Sequence, residues 1–494
     1  MPPDHDAVTW LPDPSHYPEQ MTPLSATVWF EAMGSGLQEA MRELRGPFGG
    51  FETRTELGWA YERELEPDWD HDPAHVRAAA LALPARWERE IRPRVHELTT
   101  ELERMRPEPL RPAEAVALLD RLWGLVRETW RLHFLAVIPA QMAAEILQTA
   151  YVERYGADDP LAPYRLLEGI PNEPEEELRR LAASAREHAV DNLVRELEPT
   201  HALARLRGLA DGRRWLLELD RFLLRFGGRS RWHELSLPRE VDLPMLTLES
   251  ARLALEAGDE ATAPVTPPEP PPELAELTAR VRAAYALKEL HAYDIDYPSL
   301  LATREVLLGF GRRLMAEGFL DEADDVWMLT RGELRRALTS DDDLRAPISE
   351  RRAELERGRS EGPKPFLGDP PADVDRHPAL EKFYGSRGGS GLSGAAASGG
   401  VAEGSARIVA DASDFGRLRP GDVLVATTTT PAWTPLFRGI AALVTETGGI
   451  LSHAAVVARE YGLPAVVGVR GATRTLVDGQ RVRVDGDQGV VTAL

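Results

Sequence analysis

The chain contains no cysteine and very little lysine. The absence of cysteine excludes disulfide bonds, iron–sulfur clusters, thiolate zinc sites and a cysteine nucleophile. Lysine occurs only at positions 288, 364 and 382, and none of these residues is followed by serine or threonine. A P-loop nucleotide site, which requires a Gly-Lys-Ser/Thr sequence, is therefore excluded.

Positive charge is also scarce in the 494 residues. Lys plus Arg is 58 and Asp plus Glu is 80, so the formal net charge is −22. This balance opposes attraction to nucleic acid or to an anionic membrane. The N-terminus lacks the basic and then apolar pattern of a signal peptide, and Pro139 and Gln141 interrupt the apolar stretch 134–147. We therefore expect a cytoplasmic protein with no nucleic-acid or membrane partner.

Helical periodicity dominates the first two thirds of the chain. Apolar residues recur at spacings of three and four from about residue 73 to residue 338, most clearly over 112–138, where they form one stripe (Leu119, Leu122, Trp123, Val126 and Trp130). The same pattern covers 175–206, 215–226, 272–290 and 300–317. The pattern predicts a large, mostly helical domain over residues 1–383.

Composition changes abruptly after Tyr384. Residues 385–404 are rich in Gly, Ser and Ala, which is typical of a flexible linker and predicts one over 384–397. Short β-branched runs then follow at 405–409, 422–426, 441–445, 464–467, 481–485 and 489–492. We therefore expect a second, compact domain over 398–494 and a multidomain protein of the α and α/β classes.

One motif in this second domain has clear chemical meaning. Residues 445–468 read TETGGILSHAAVVAREYGLPAVVG, which predicts a strand end, a Gly448-Gly449 turn and a helix that begins near Ser452 and His453. A helix N-terminus presents unpaired N–H groups and the positive end of the helix dipole, so it binds anions such as phosphate. A histidine at this position is expected to stay neutral and therefore nucleophilic.

This stretch resembles the phosphohistidine swivelling domain, of β/β/α type, of phosphoenolpyruvate-utilising enzymes. The similarity extends to 398–404, 430–436 and 478–480. The resemblance implies that His453 carries a phosphoryl group. It also implies that the surrounding residues bind phosphate, namely Thr445, Gly448, Gly449, Ser452 and Arg459.

The helical part resembles the substrate domain of rifampicin phosphotransferases. The segments that carry this resemblance are 18–24, 222–238 and 318–330, the last with Asp324-Asp325-Val326. Where such proteins commonly have Gly-Glu, this chain has Trp232-His233-Glu234. We expect the difference to alter specificity for the acceptor.

Neither a phosphoenolpyruvate-binding barrel nor an ATP-grasp domain is recognisable in these residues. The resemblance therefore implies that ATP and Mg²⁺ bind to a separate ATP-grasp partner protein, and we expect no cofactor and no metal on this chain. The linker would move His453 between that partner and a site for a small-molecule hydroxyl substrate.

Phosphoryl transfer to a hydroxyl needs positive groups around the phosphate and a base for the hydroxyl proton. For substrate binding the sequence offers Arg225, Arg229, Arg231, His233 and Glu234. For activation of the hydroxyl it offers Glu289, His291 and Asp296. Residues 289 and 291 do not share a helix face, so both reach one pocket only if the helix ends there.

Three functions fit these patterns. The first is a phosphotransferase subunit that passes phosphate from His453 to a secondary metabolite or a drug-like molecule. The second uses the same phosphorylation to create a leaving group, so that the net reaction is dehydration. The third is a phosphocarrier or regulatory protein that performs no catalysis and whose helical part binds another protein.

Overall fold

The computed structural model describes residues 9–14, 16–170, 173–228, 234–257, 266–340, 343–369, 392–410, 412–429, 433, 436–437 and 439–494. Two compact units divide the chain. The first unit comprises Met1–Met142, Trp232–Leu237 and His291–Val374, and the second comprises Ala143–Arg231, Pro238–Leu290 and Asp375–Leu494. The domain limits expected from the sequence, 1–383, 384–397 and 398–494, stay a prediction.

The α-helices of the described residues are numbered here in chain order. They are α1 (Pro23–Ser25), α2 (Glu31–Leu44), α3 (Pro73–Arg86), α4 (Arg92–Arg104), α5 (Pro112–Tyr155), α6 (Ala162–Arg165), α7 (Glu173–Glu187), α8 (Asp191–Glu196), α9 (Pro199–Gly208), α10 (Ala210–Phe226), α11 (Met245–Ala257), α12 (Ala275–Tyr285), α13 (Leu287–His291), α14 (Tyr297–Ala316), α15 (Arg331–Ala337), α16 (Arg345–Glu361), α17 (His453–Glu460) and α18 (Ala472–Thr475). π-Helical turns lie at Ala26–Phe30, Trp87–Ile91 and Ala292–Asp296, and 3₁₀ turns at Pro272–Leu274, Ala323–Met328 and Ala412–Arg417.

Helix α5 confirms the clearest helical prediction and extends it. Pro112 occupies its first turn, where a missing N–H costs nothing, and Leu119, Leu122 and Val126 are fully buried. The helix continues past the predicted end at residue 138, through Pro139, to Tyr155. It is the one described helix that is long and apolar enough to cross a membrane. Buried core helices of soluble proteins meet the same criteria of length and composition.

A three-stranded antiparallel sheet lies in the first unit, ahead of residues 73–338, in which the sequence pattern predicts helices. Its strands are β1 (Leu11–Pro12), β2 (Phe51–Glu56) and β3 (Trp59–Glu64), in the order β1-β3-β2. A two-residue turn joins β2 to β3, and both of its residues have positive φ, 50° at Leu57 and 83° at Gly58. Such turns match the twist of a hairpin, and glycine adopts this conformation without strain.

A seven-stranded mixed sheet dominates the C-terminal part of the second unit. Its strands are β4 (Ala395–Ser398), β5 (Val401–Ile408), β6 (Val423–Ala426), β7 (Ala442–Thr445), β8 (Ala465–Val467), β9 (Arg481–Asp485) and β10 (Val490–Ala493). The spatial order is β10-β9-β5-β6-β7-β8-β4, with parallel pairing from β5 to β8. All six predicted strands are present, so the expectation of a mostly helical region followed by an α/β region is confirmed.

Burial explains why these strands are short and β-branched. Every residue of β6, β7 and β8 is buried, as expected for parallel strands that are covered on both faces. Strand β4 pairs with β8 and occupies residues 395–397 of the predicted linker, whose residues 384–391 lie outside the described part of the chain. The ordered sheet thus begins slightly earlier than the composition indicates.

Candidate active site

The loop between β7 and α17 presents His453 at a helix N-terminus. Gly448 has a φ of 101°, a conformation that residues with a Cβ adopt only with strain. Ser452 is the N-cap of α17, and its hydroxyl oxygen accepts a hydrogen bond from the Ala455 N–H at 3.4 Å. His453 is therefore the first residue of the helix, as the sequence predicts.

The residues predicted to bind phosphate surround this loop. Thr445 ends β7, is fully buried, and donates its hydroxyl hydrogen to the Thr447 carbonyl at 2.8 Å. The Ser452 N–H donates to the Gly449 carbonyl at 2.9 Å, which closes the turn ahead of the helix. The strand end, the glycine turn and the N-cap thus adjoin His453, and phosphate binding by them stays a prediction.

Arg459 is turned toward its own backbone rather than toward solvent. Its side chain is 4% exposed, its Nε donates to the Ala455 carbonyl at 3.0 Å, and its Nη2 donates to the Ile450 carbonyl. The guanidinium also lies over the ring of Tyr164, 4.7 Å from its centroid. In this arrangement Arg459 fixes the shape of the loop, and its contact with phosphate stays a prediction.

The imidazole of His453 meets a carboxylate from the helical part of the second unit. Its Nδ1 lies 3.2 Å from Oε2 of Glu289, and both side chains are 13% exposed. The other oxygen, Oε1, lies 3.0 Å from Nζ of Lys288, which is almost completely buried. Burial raises the pKa of Glu289, but Lys288 and His453 outweigh this effect and hold the pKa well below its usual range.

This geometry changes what Glu289 is suited to do. The sequence analysis proposes it as a base that activates a hydroxyl group. A carboxylate with a strongly lowered pKa is a weak base, and both of its oxygens already face positive or protonated partners. Glu289 is better placed to keep the proton of His453 on Nδ1, so that the lone pair of the ring lies on Nε2.

Further contacts hold the C-terminal sheet against helices of the same unit. Arg252 on α11 is 6% exposed and donates from Nη2 to the Leu418 carbonyl at 3.1 Å. Its Nε and Nη1 bind the carboxylates of Glu249 and Glu256 at 2.8 and 2.9 Å. Together with the contact between Tyr164 and Arg459, these bonds define what we call the docked arrangement of His453.

A second cluster of polar side chains lies inside the first unit. Nδ1 of His133 is 2.7 Å from Oδ1 of Asp296, and Nε2 of His291 is 3.6 Å from Oδ2 of the same carboxylate. The three side chains are 14%, 8% and 5% exposed in the order His133, His291 and Asp296. Burial, assisted by the charge of His16, lowers the pKa of His133 to about 3.

The predicted trio of Glu289, His291 and Asp296 is thus divided between the units. The helix does not end at His291 but continues through the π-helical turn into α14, and Glu289 belongs to the second unit. The sequence analysis does not identify His133. Its signal is a histidine three residues after Trp130, on the apolar stripe of α5, where a polar group needs a partner.

Of the five predicted substrate-binding residues, the structure describes Arg225 and Glu234, and these two lie in different environments. Arg225 is exposed at the end of α10 and pairs with Glu173 at 2.5 Å. Arg229, Arg231 and His233 lie outside the described residues. Glu234 is buried in the first unit, and its carboxylate accepts hydrogen bonds from protein donors, which are the Thr22 hydroxyl at 2.8 Å, the Ser25 hydroxyl at 2.6 Å and the Ser236 N–H at 3.0 Å.

The hydrogen bonds of Glu234 and its neighbours join the segments on which the resemblance to rifampicin phosphotransferases rests. Glu234 belongs to 222–238 and Thr22 to 18–24. Arg304 donates to the Leu235 carbonyl at 3.2 Å and lies over the ring of Trp327, which belongs to 318–330. These residues therefore form one packing centre of the first unit, which explains why segments so distant in sequence carry one resemblance.

A known protein family matches the part of the chain that contains His453. Residues 418–489 match the family model described as PEP-utilising enzyme, mobile domain, which includes the loop and His453. The chain thus contains the mobile domain of the PEP-utilising enzymes. It resembles rifampicin phosphotransferase, with 38% identity to that of Streptomyces sviceus over 44% of this chain and 24% of that protein.

Two further relatives align with a larger share of this chain than that rifampicin phosphotransferase does. Chondramide synthase cmdD of Chondromyces crocatus is 31% identical over 100% of this chain but only 14% of the synthase. The uncharacterized phosphotransferase YvkC of Bacillus subtilis is 29% identical over 77% of this chain and 49% of that protein. The chain thus spans half or less of the length of each of these relatives, and two of the three are named phosphotransferases.

Proposed function

We propose that this protein is a phosphotransferase in which His453 receives a phosphoryl group from ATP bound by a separate ATP-grasp protein and passes it to a hydroxyl group of a small molecule. The observation that carries the proposal is the position of His453. It is the first residue of α17, after a glycine turn and a serine N-cap, with its Nδ1 3.2 Å from Glu289. The proposal includes the β/β/α swivelling behaviour that the resemblance implies for residues 398–494.

In the first half-reaction, the Nε2 lone pair attacks a phosphorus of ATP held by the partner. The bond from that phosphorus to its bridging oxygen breaks, and the group on the far side of that oxygen leaves with the electron pair. Glu289 is not required for this step, because the step takes place on the partner, where Mg²⁺ is also bound. The helix N-terminus then stabilises the negative phosphoryl group with N–H groups and the helix dipole.

In the second half-reaction, the docked arrangement places the phosphohistidine beside Glu289. The acceptor oxygen attacks phosphorus, the N–P bond breaks, and its electron pair returns to Nε2. Phosphoryl transfer depends mostly on positioning and electrostatics, so a strong base is not essential. The hydroxyl proton leaves to a base of the acceptor site, for which His291 and Asp296 stay the candidates.

The acceptor class is inferred from relatives and charge. Rifampicin phosphotransferases and chondramide synthase are named for natural products, which supports a secondary metabolite or drug-like acceptor. The net charge of −22 disfavours nucleic acid and anionic membranes as partners. We place the reaction in the cytoplasm, where ATP is abundant.

The test is transfer of label from ATP carrying ³²P in all its phosphates, in the presence of extract from the source cells. We expect acid-labile, base-stable label on the wild-type protein, none on His453→Ala, and full label on the control His201→Ala, whose histidine is exposed on α9. Label must also disappear when the extract is omitted. Equal label on His453→Ala and wild type would refute the carrier assignment.

The fate of the label separates the alternatives. A phosphorylated small molecule supports the phosphotransferase, whereas a dehydrated product with free phosphate supports the dehydratase. Labelled protein that never discharges to a small molecule from the extract supports a carrier that performs no catalysis. Mass spectrometry of the small-molecule fraction distinguishes the three outcomes.

A further inference from the structure

The cluster of His133, His291 and Asp296 has the composition of a metal site rather than of an ordinary buried ion pair. It offers two imidazole nitrogens and one carboxylate, and these ligand atoms all lie within 4.8 Å of one another. Two histidines with one carboxylate are a recurrent ligand set for divalent transition-metal ions. All three residues belong to the first unit.

The distances match the spacing that a bound ion imposes. Ligand atoms about 2.0–2.2 Å from a tetrahedral zinc ion lie about 3.3 Å from one another. Oδ1 of Asp296 lies 2.7 Å from His133 and Oδ2 lies 3.6 Å from His291, so these separations fall on either side of this value, and all the ligand atoms lie within 4.8 Å of one another. Side-chain movements of about 1.5 Å or less would therefore bring the atoms to ligand spacing.

A π-helical turn explains how the side chains of His291 and Asp296 come together. His291 and Asp296 are five residues apart, and the π-helical turn Ala292–Asp296 lies between them. In a π-helix the hydrogen bonds run from residue i to residue i+5, so these two positions lie over one another, whereas in an α-helix they would diverge. π-Turns of this kind occur frequently at functional sites.

Helix α5 supplies the third ligand, and the surroundings favour a cation. The rings of His133 and His291 meet edge to face, with centroids 4.6 Å apart. Asp13, Glu62 and Glu234, all at most 6% exposed, act together with Asp296 on the nearby phenol of Tyr17. A buried region with several carboxylates has a negative potential, which an ion of charge +2 would offset.

We propose that His133, His291 and Asp296 bind one divalent transition-metal ion, of the class of Zn²⁺, Co²⁺ or Fe²⁺. With the three protein ligands found among the described residues, the site keeps an open position, which is the arrangement of catalytic rather than structural zinc sites. Water or an oxygen of the substrate would fill that position and lose its proton more readily there. His291 and Asp296 would then act as ligands and not as bases.

The probe is Co²⁺, whose visible absorption reports tetrahedral ligands directly. The full-length protein is stripped with a chelator, dialysed and titrated with Co²⁺ and then with Zn²⁺, with the metal content measured by mass spectrometry. We expect one ion per chain and displacement of Co²⁺ by Zn²⁺. Each of His133→Ala, His291→Ala and Asp296→Asn should weaken binding by about 100-fold or more, since even the loss of a group behind a ligand costs 10–100-fold.

The matched control removes two histidines elsewhere in the same unit. His71 and His75 are exposed, and their ring nitrogens contact the carbonyls of Arg45 and Glu43 at 2.9 and 3.1 Å. The double variant His71→Ala/His75→Ala should bind Co²⁺ like the wild type. Thermal unfolding with and without metal separates lost binding from lost folding, because a ligand stabilises only a folded site.

Two results would overturn the proposal. One is a wild-type protein that takes up no Co²⁺ or Zn²⁺ at a tenfold excess of metal while its thermal unfolding shows it to be folded. The other is a variant His133→Ala/His291→Ala that binds as tightly as the wild type. Phosphorylation of His453 is measured on the same preparations, so failure of the metal site is distinguishable from failure of the proposed phosphotransferase.

Discussion

The contact between Glu289 and His453 predicts the protonation state of the carrier histidine. In the docked arrangement the carboxylate lies 3.2 Å from Nδ1, and since a carboxylate only accepts hydrogen bonds, we expect the neutral ring to carry its proton on that nitrogen. Replacing Glu289 with Gln keeps the size of the side chain and removes its charge. Loss of this charge should weaken the preference of the His453 ring for a proton on Nδ1.

The expected magnitude is that of a hydrogen bond to a charged group. A hydrogen bond to a charged group contributes about 1.5–3 kcal/mol, which corresponds to a factor of about 10–150 in an equilibrium constant. Nuclear magnetic resonance of protein labelled with ¹⁵N-histidine measures this ratio for His453. We expect the Nδ1–H form to dominate in the wild type and the Nε2–H form to gain by that factor in Glu289→Gln.

Stability must be controlled in the same experiment. Lys288 is buried and faces the carboxylate at 3.0 Å, so removing the charge of Glu289 leaves a buried ammonium uncompensated, at a cost of about 3–5 kcal/mol. The double variant Lys288→Met/Glu289→Gln removes both charges and should recover stability without recovering the Nδ1–H form. A wild-type ring protonated on Nε2, or an unchanged ratio in both variants, would refute the reasoning.

Three further predictions concern stability. Burial raises the pKa of Glu333, but Arg351 and Thr330 outweigh it and lower the pKa to about 2, so stabilisation present above about pH 4.5 should be lost as the pH falls toward 2. After solvent screening this amounts to about 1–2 kcal/mol, and urea unfolding at pH 6 and pH 3 should show a smaller acid dependence for Glu333→Gln. Arg459→Lys should lose the contact with Tyr164 and at least one carbonyl contact, and faster amide hydrogen exchange at residues 450–452 would confirm this, whereas unchanged exchange would contradict it. Glu234→Gln should destabilise the first unit by about 2–3 kcal/mol, because an amide nitrogen replaces an acceptor of several donors, and an unchanged urea midpoint would contradict this assignment.

The sequence predicts the C-terminal region well because its signals are local. A glycine turn, a serine N-cap and short buried strands each determine the structure of a few neighbouring residues, so the start of α17 at His453 is predictable from the motif alone. Strand β4 is not, because Ala395–Ser398 has linker composition and becomes a strand only by pairing with β8. Helix α5 likewise extends beyond its predicted end, since packing tolerates Pro139 inside it.

The candidate site is predictable only in part because it depends on distant contacts. The sequence identifies Glu289 but not its contact with His453, which lies 164 residues further along the chain. It groups Glu289 with His291 on the condition that the helix ends there, whereas the helix continues through the π-helical turn Ala292–Asp296. His133 joins His291 only through tertiary packing across more than 150 residues, which no local pattern reports.

The most direct test of the account is the site of phosphorylation itself. Protein labelled with ATP and the source-cell extract is digested, the labelled peptide is sequenced by mass spectrometry, and the phosphorylated nitrogen is assigned by ³¹P nuclear magnetic resonance. The account predicts a single phosphohistidine at His453, phosphorylated on Nε2. Phosphate on another residue, or on Nδ1 of His453, would contradict it.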